Sequence, residues 1–111
     1  MKRVTSRIQT SSKHHKAYLL ESAPLLTDKV TYLSDEIPWS KVDGRTGKLV
    51  IGWQLWNAVL NSKPRPRTVA GIVEIGTKLN LDRRSEKLTK ARIMRDLRWL
   101  KTYQKAYVVF G

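Results

Sequence analysis

The 111-residue chain contains no cysteine. Disulfides and thiolate metal sites are thereby excluded, and the composition suits a reducing cytoplasm. Long apolar runs are also missing. None approaches the ~20 residues that a membrane-spanning helix needs, so no membrane span is expected; a membrane surface would fit the charge but is not the partner expected. The N-terminus is basic, but no apolar stretch follows it to make a secretion signal. Histidine occurs only as the pair His14-His15. Adjacent side chains diverge, and no carboxylate cluster accompanies them, so neither a metal site nor a general base is expected there.

Catalytic machinery is equally sparse. No glycine-rich phosphate loop precedes a helix. Glu74 and Lys78 stand four apart on an expected helix, an ordinary i, i+4 pair. Asp35, Glu36 and Asp43 fall in an acidic segment without a recognisable chemical partner. The expectation is a protein that is not an enzyme and uses no cofactor and no metal.

The scarcest charge is negative. Nine acidic residues face 22 lysines and arginines, a formal net charge of +13. Such a chain repels itself unless something acidic is near. Residues 1–20 hold five basic side chains and no acidic one, and residues 48–111 hold fourteen basic against four acidic. The segment between them is mildly acidic. Nucleic acid, an anionic membrane or an acidic protein would answer this charge. Hydrophobic residues make up 41% of the chain, enough for one modest core.

Organisation follows from periodicity. Residues 1–16 are polar, basic and aperiodic, and read as a flexible arm; residues 17–111 read as a single domain. Residues 17–27 are compatible with the start of a short helix that Pro24 would end or kink. Lys29–Ser34 suits a short strand. Residues 35–52 read as a hairpin, with arms Trp39–Val42 and Lys48–Ile51 around a turn at Asp43-Gly44-Arg45-Thr46-Gly47.

From Trp53 a helical period begins, with Trp53, Trp56, Val59 and Leu60 on one stripe. Lys63-Pro64-Arg65-Pro66-Arg67 must break it. Thr68 is a natural cap for a second helix through Asn80, with Val69, Ile72, Val73, Gly76 and Leu79 on one face. A β-branched strand is the competing reading for residues 69–76; length and the cap favour the helix. Asn80–Ser85 is a turn. A third helix is expected from Glu86 to Tyr103, and Tyr107–Phe110 as a terminal strand.

On a wheel at ~100° per residue, Ile93, Leu97 and Leu100 of the third helix fall between about 80° and 140° from Arg92. Lys87, Ala91, Arg95 and Arg98 fall between about 220° and 300°, opposite them. One side packs and the other presents basic groups. A solvated basic face is the alternative for an isolated helix of this kind. Core packing is the favoured role for Trp53, Trp56 and Trp99 over base stacking; Trp39, following a proline, is expected to be the most exposed tryptophan.

Taken together, residues 50–110 resemble the winged helix-turn-helix family. Thr68–Leu81 is similar to that family's second helix and turn, with Glu74-Ile75-Gly76 where a Glu-Ile-Ala triplet is common. Arg92–Leu100 is similar to its recognition helix, and Ala106–Phe110 to a wing strand. Gln104 and Lys105 stand where a glycine is usual, and a single strand follows the third helix, so the hairpin at 39–51 is the candidate to complete the sheet. The resemblance implies an α+β winged-helix-like domain of three helices with a small antiparallel sheet, and duplex DNA as partner.

The implied contacts are Lys87, Ala91, Arg92, Arg95 and Arg98 on the helix, with Arg83 and Arg84 in the turn before it. Lys63, Arg65 and Arg67 in the proline loop could touch phosphate or form only a solvated stiff loop, and the arm with Arg3 and Arg7 could track a groove or only raise the local charge. Regulators, excision factors and conjugation accessory proteins of phages and plasmids are similar small basic proteins. RNA, as partner of an RNA-binding or ribosome-associated protein, is an alternative that the charge suits equally and that a strand at 69–76, building a sheet platform, would favour. An acidic protein bound through the aromatics is the other.

Overall fold

The structure, a computed structural model, describes residues 20–79 and 88–111. Its described elements, in order, are strand β1 (Val30–Tyr32), helices α1 (Ile51–Leu60), α2 (Val69–Lys78) and α3 (Lys90–Tyr103), and strand β2 (Val108–Phe110). This is the expected α+β arrangement of three helices with a small antiparallel sheet. Residues 1–19, including the expected arm, and the turn at 80–87 lie outside the described residues. Among those described, no helix is long and apolar enough to cross a membrane.

Each helix forms where its apolar period and its cap agree. In α2 the Thr68 hydroxyl accepts from the Gly71 amide at 3.3 Å, and Val69, Ile72 and Gly76 are buried. Residues 69–76 are therefore helical, not a strand. Gly76 lets α2 approach its neighbours closely: a Cβ there would meet Ile93 of α3 and come within 3.1 Å of Leu55 of α1. The α1 stripe is shifted from expectation. Leu55, Trp56, Val59 and Leu60 face the core while Trp53 is only half-buried. The helix also starts two residues early, at Ile51, and so removes the end of the expected hairpin arm.

The hairpin is correspondingly slight. A single bridge joins Val42 to Leu49, with the Asp43 amide donating to the Lys48 carbonyl at 2.8 Å. It does not complete the sheet. β2 instead pairs antiparallel with β1, Val30 opposite Phe110 and Tyr32 opposite Val108. The opposite edge of β1 is engaged by the residues just before α2: Lys29 bridges Thr68, and the Val30 amide donates to the Arg67 carbonyl at 2.9 Å. A strand from upstream of all three helices thus takes the partner position expected of the hairpin.

The helix expected over 17–27 is absent from its described part. Pro24 is buried there, and the backbone is committed elsewhere. The Glu21 amide donates to the Thr102 hydroxyl of α3 at 2.9 Å, and Asp28 closes a turn with Leu25. Helices, sheet and Leu88 enclose one core, in which Leu55, Trp56, Val59, Val69, Ile72, Ile93, Leu97, Leu100 and Val108 are fully buried.

Candidate nucleic-acid interface

α3 begins later than its periodicity suggests. Thr89 is the cap, in extended conformation, and its hydroxyl accepts from the Arg92 amide at 3.1 Å. Lys87 lies outside the described residues, as do Arg83, Arg84, Arg3 and Arg7. From the cap onward the wheel holds. Ile93, Leu97 and Leu100 are fully buried, while Lys90, Ala91 and Arg95 are exposed. The side chains of Lys90 and Arg95 make no hydrogen bond or ion pair among the described residues, although the Arg95 charge is felt by the Asp96 carboxyl. A solvated cation keeps its full charge for a ligand, whereas a paired one must first give up its partner.

The remaining basic residues of α3 are engaged. Arg92 is half-buried, its Nε 3.4 Å from the Asp96 carboxylate one turn on. At that separation the charges attract without an aligned hydrogen bond, and both atoms are buried. Burial pushes the Asp96 carboxyl above its ordinary range, and the positive charge of Arg92 opposes the shift.

Arg98 is braced from another direction. Its Nε donates to the Glu21 carbonyl at 2.6 Å, Lys101 Nζ to the Ser22 carbonyl at 3.1 Å, and Lys105 pairs with the Glu21 carboxylate at 2.5 Å. The hydrogen bond from Lys105 lowers the Glu21 pKa. The Glu21–Ser22 strap therefore covers the C-terminal half of the helix's outer face and leaves its N-terminal half open. In helix-turn-helix docking it is the N-terminal residues of the recognition helix that contact base edges.

The proline loop divides in the same way. Lys63 and Arg67 are exposed and have no side-chain partner among the described residues. Arg65 is turned inward instead. Its Nε donates to the Leu60 carbonyl at 2.9 Å and caps the end of α1, a second nitrogen lies 3.0 Å from Asp35, and the guanidinium sits 5.4 Å over the Tyr32 ring.

The tryptophans are packed. Trp56 is fully buried, and Trp53 lies beneath Lys41, 5.1 Å from ring centre to Nζ. Trp39, expected to be the most exposed, is half-buried against Trp99 with ring centres 5.0 Å apart. Among the described residues no cluster of histidine and carboxylate side chains could hold a metal ion.

Three features escaped the sequence reading. The Thr89 cap was legible, since threonine before an apolar period is a start signal. Lys90 follows from that cap as an outward-facing residue. The third feature, the position of Lys48 across a cleft from Arg92 of α3, depends on how the hairpin packs, and no local signal reports it. Comparison of the chain with family models, curated proteins and solved structures finds no match.

Proposed function

We propose that the protein binds duplex DNA without catalysing a reaction, laying the N-terminal half of α3 in the major groove. The observation that carries this reading is the two-sided character of α3. Ile93, Leu97 and Leu100 are sealed in the core while Lys90, Ala91 and Arg95 stand open on a chain of net charge +13. Arg95 has the fork geometry for paired hydrogen bonds to guanine O6 and N7, and Ala91 leaves room for close approach to the bases. Lys63 and Arg67 would add phosphate contacts, as would the basic residues outside the described region. In this proposal the protein is cytoplasmic and acts as a winged-helix-like transcriptional regulator or as an accessory factor of a phage or plasmid. The helical state of 69–76 removes the sheet platform that would have favoured RNA.

Equilibrium titrations with duplex DNA, single-stranded DNA and RNA across a salt series test the reading. Duplex is expected to bind best, with log affinity falling linearly in log salt at about 0.9 per phosphate contacted. A flat salt response would point to an acidic-protein partner, and preference for RNA would overturn the choice of duplex.

A further inference from the structure

The Asp43–Lys48 turn is held beside α3 by the packing at its root. Trp39 enters the turn's first arm wedged between two helices. Its indole lies 5.0 Å from the Trp99 ring of α3, and it fills the space that a Cβ on Gly52 of α1 would need. The Val50 amide donates to the Lys41 carbonyl at 2.9 Å, tying the second arm to the first.

The turn is also ordered from within. The Asp43 carboxylate accepts from the Arg45 amide at 2.7 Å and the Thr46 amide at 3.4 Å. Gly47 takes the positive φ of +69° that closes the loop, and its amide donates to the Asp43 carbonyl at 2.8 Å. The turn's one acidic group is therefore directed at its own backbone. Its two basic side chains, Arg45 and Lys48, are exposed and have no partner among the described residues.

Between this turn and α3 lies an open cleft of about 360 Å³, with Asp43, Thr46 and Lys48 on one wall and Arg92 on the other; the Asp43 carboxylate there is occupied by the turn's own amides. Asp96 holds Arg92 by its Nε. The two terminal nitrogens of that guanidinium make no hydrogen bond among the described residues. A hydroxyl and two cations, drawn from separate elements joined by the packing of Trp39, suit a phosphodiester. The turn stands on the flank of the helix whose outer face is proposed to meet a groove.

We propose that the Asp43–Lys48 turn is a second duplex-DNA contact, which grips the phosphate backbone bordering the groove that α3 enters. Lys48 and Arg92 line the cleft and supply the charge there, and Arg45, exposed on the same turn, adds to it. The inference rests on the duplex reading of α3 and adds a separate element and separate residues to it.

The test compares the wild-type chain with Arg45→Ala/Lys48→Ala, Arg45→Lys/Lys48→Arg and Arg95→Ala, each titrated with a labelled duplex across a salt series. The double alanine variant is expected to melt like wild type and to lose roughly 1 to 2 from the slope of log affinity against log salt. The charge-keeping exchange restores the slope, which separates charge from any change in the turn's shape. If the double alanine variant keeps the wild-type slope while Arg95→Ala weakens binding, the turn is no contact and the reading of α3 stands. If the wild-type chain does not bind duplex, the reading of α3 fails and this inference fails with it.

Discussion

Trp39 and Trp99 lie with ring centres 5.0 Å apart and planes inclined by 30°, joining the root of the hairpin to α3. The pair has room only because residue 52 is glycine. A Cβ there would fall within 2.7 Å of three atoms of the Trp39 indole. Replacing glycine by alanine inside a helix ordinarily gains about 0.5–1 kcal/mol. Forcing a ring out of a packed position costs about 1–3 kcal/mol. Gly52→Ala is therefore expected to destabilise the protein on balance and to weaken the near-ultraviolet circular dichroism of the tryptophan pair. An unchanged spectrum with a raised melting temperature would show that Trp39 is not wedged there.

Tyr32 offers an alkaline test of the sheet. Its hydroxyl donates to the Pro66 carbonyl at 2.7 Å, and its ring packs 6.0 Å from Trp56. Burial pushes the hydroxyl pKa up to about 12, with the Arg65 charge opposing. The folded pKa lies above the ordinary value of 10.0, so this contribution to stability is complete below pH 10 and is lost as pH rises through about 12. Tyr32→Phe is expected to cost about 1 kcal/mol at neutral pH, the worth of one hydrogen bond. It should also flatten the loss of stability between pH 10 and 12. Denaturant melts across that range decide it; parallel losses in both proteins would refute the assignment.

The Arg92–Asp96 pair makes an acid-side prediction. The folded Asp96 pKa is raised by burial above 3.8, so its favourable contribution is fully present below that pH and fades as pH rises through the folded value. The amide that Asp96→Asn introduces does not titrate. The stability of Asp96→Asn relative to wild type should therefore climb as pH rises from strongly acid toward neutral. Melting temperatures measured over that range would show the opposite slope if the ion pair outweighed burial.

Core and surface of α3 should separate cleanly. Leu97 is fully buried, and Leu97→Ala is expected to cost about 2–5 kcal/mol through the cavity it leaves. Its binding loss should follow the unfolded fraction. Arg95 is exposed, so Arg95→Ala should leave the thermal transition in place. On a preferred duplex it should weaken binding by about 1–3 kcal/mol, and by less on random sequence. Calorimetry with paired titrations measures both. Equal losses on preferred and random duplexes would reduce Arg95 to a phosphate contact.

Much of this architecture is local and could be read from the chain alone. The 3.6-residue period placed Ile93, Leu97 and Leu100 on one face of α3, because a helix repeats its geometry whatever it packs against. Thr68 capped α2 because its hydroxyl reaches an amide only three residues away. The surplus of positive charge is a property of composition. Tertiary structure decided which of those charges remain free. Arg65 and Arg98 look like Arg95 in sequence, but the Leu60 and Glu21 carbonyls accept their Nε protons. Pairing of β1 with β2 and the wedging of Trp39 against α3 join residues far apart in the chain. Such contacts are chosen by the competition of whole surfaces for burial, and no window of neighbouring residues contains that information.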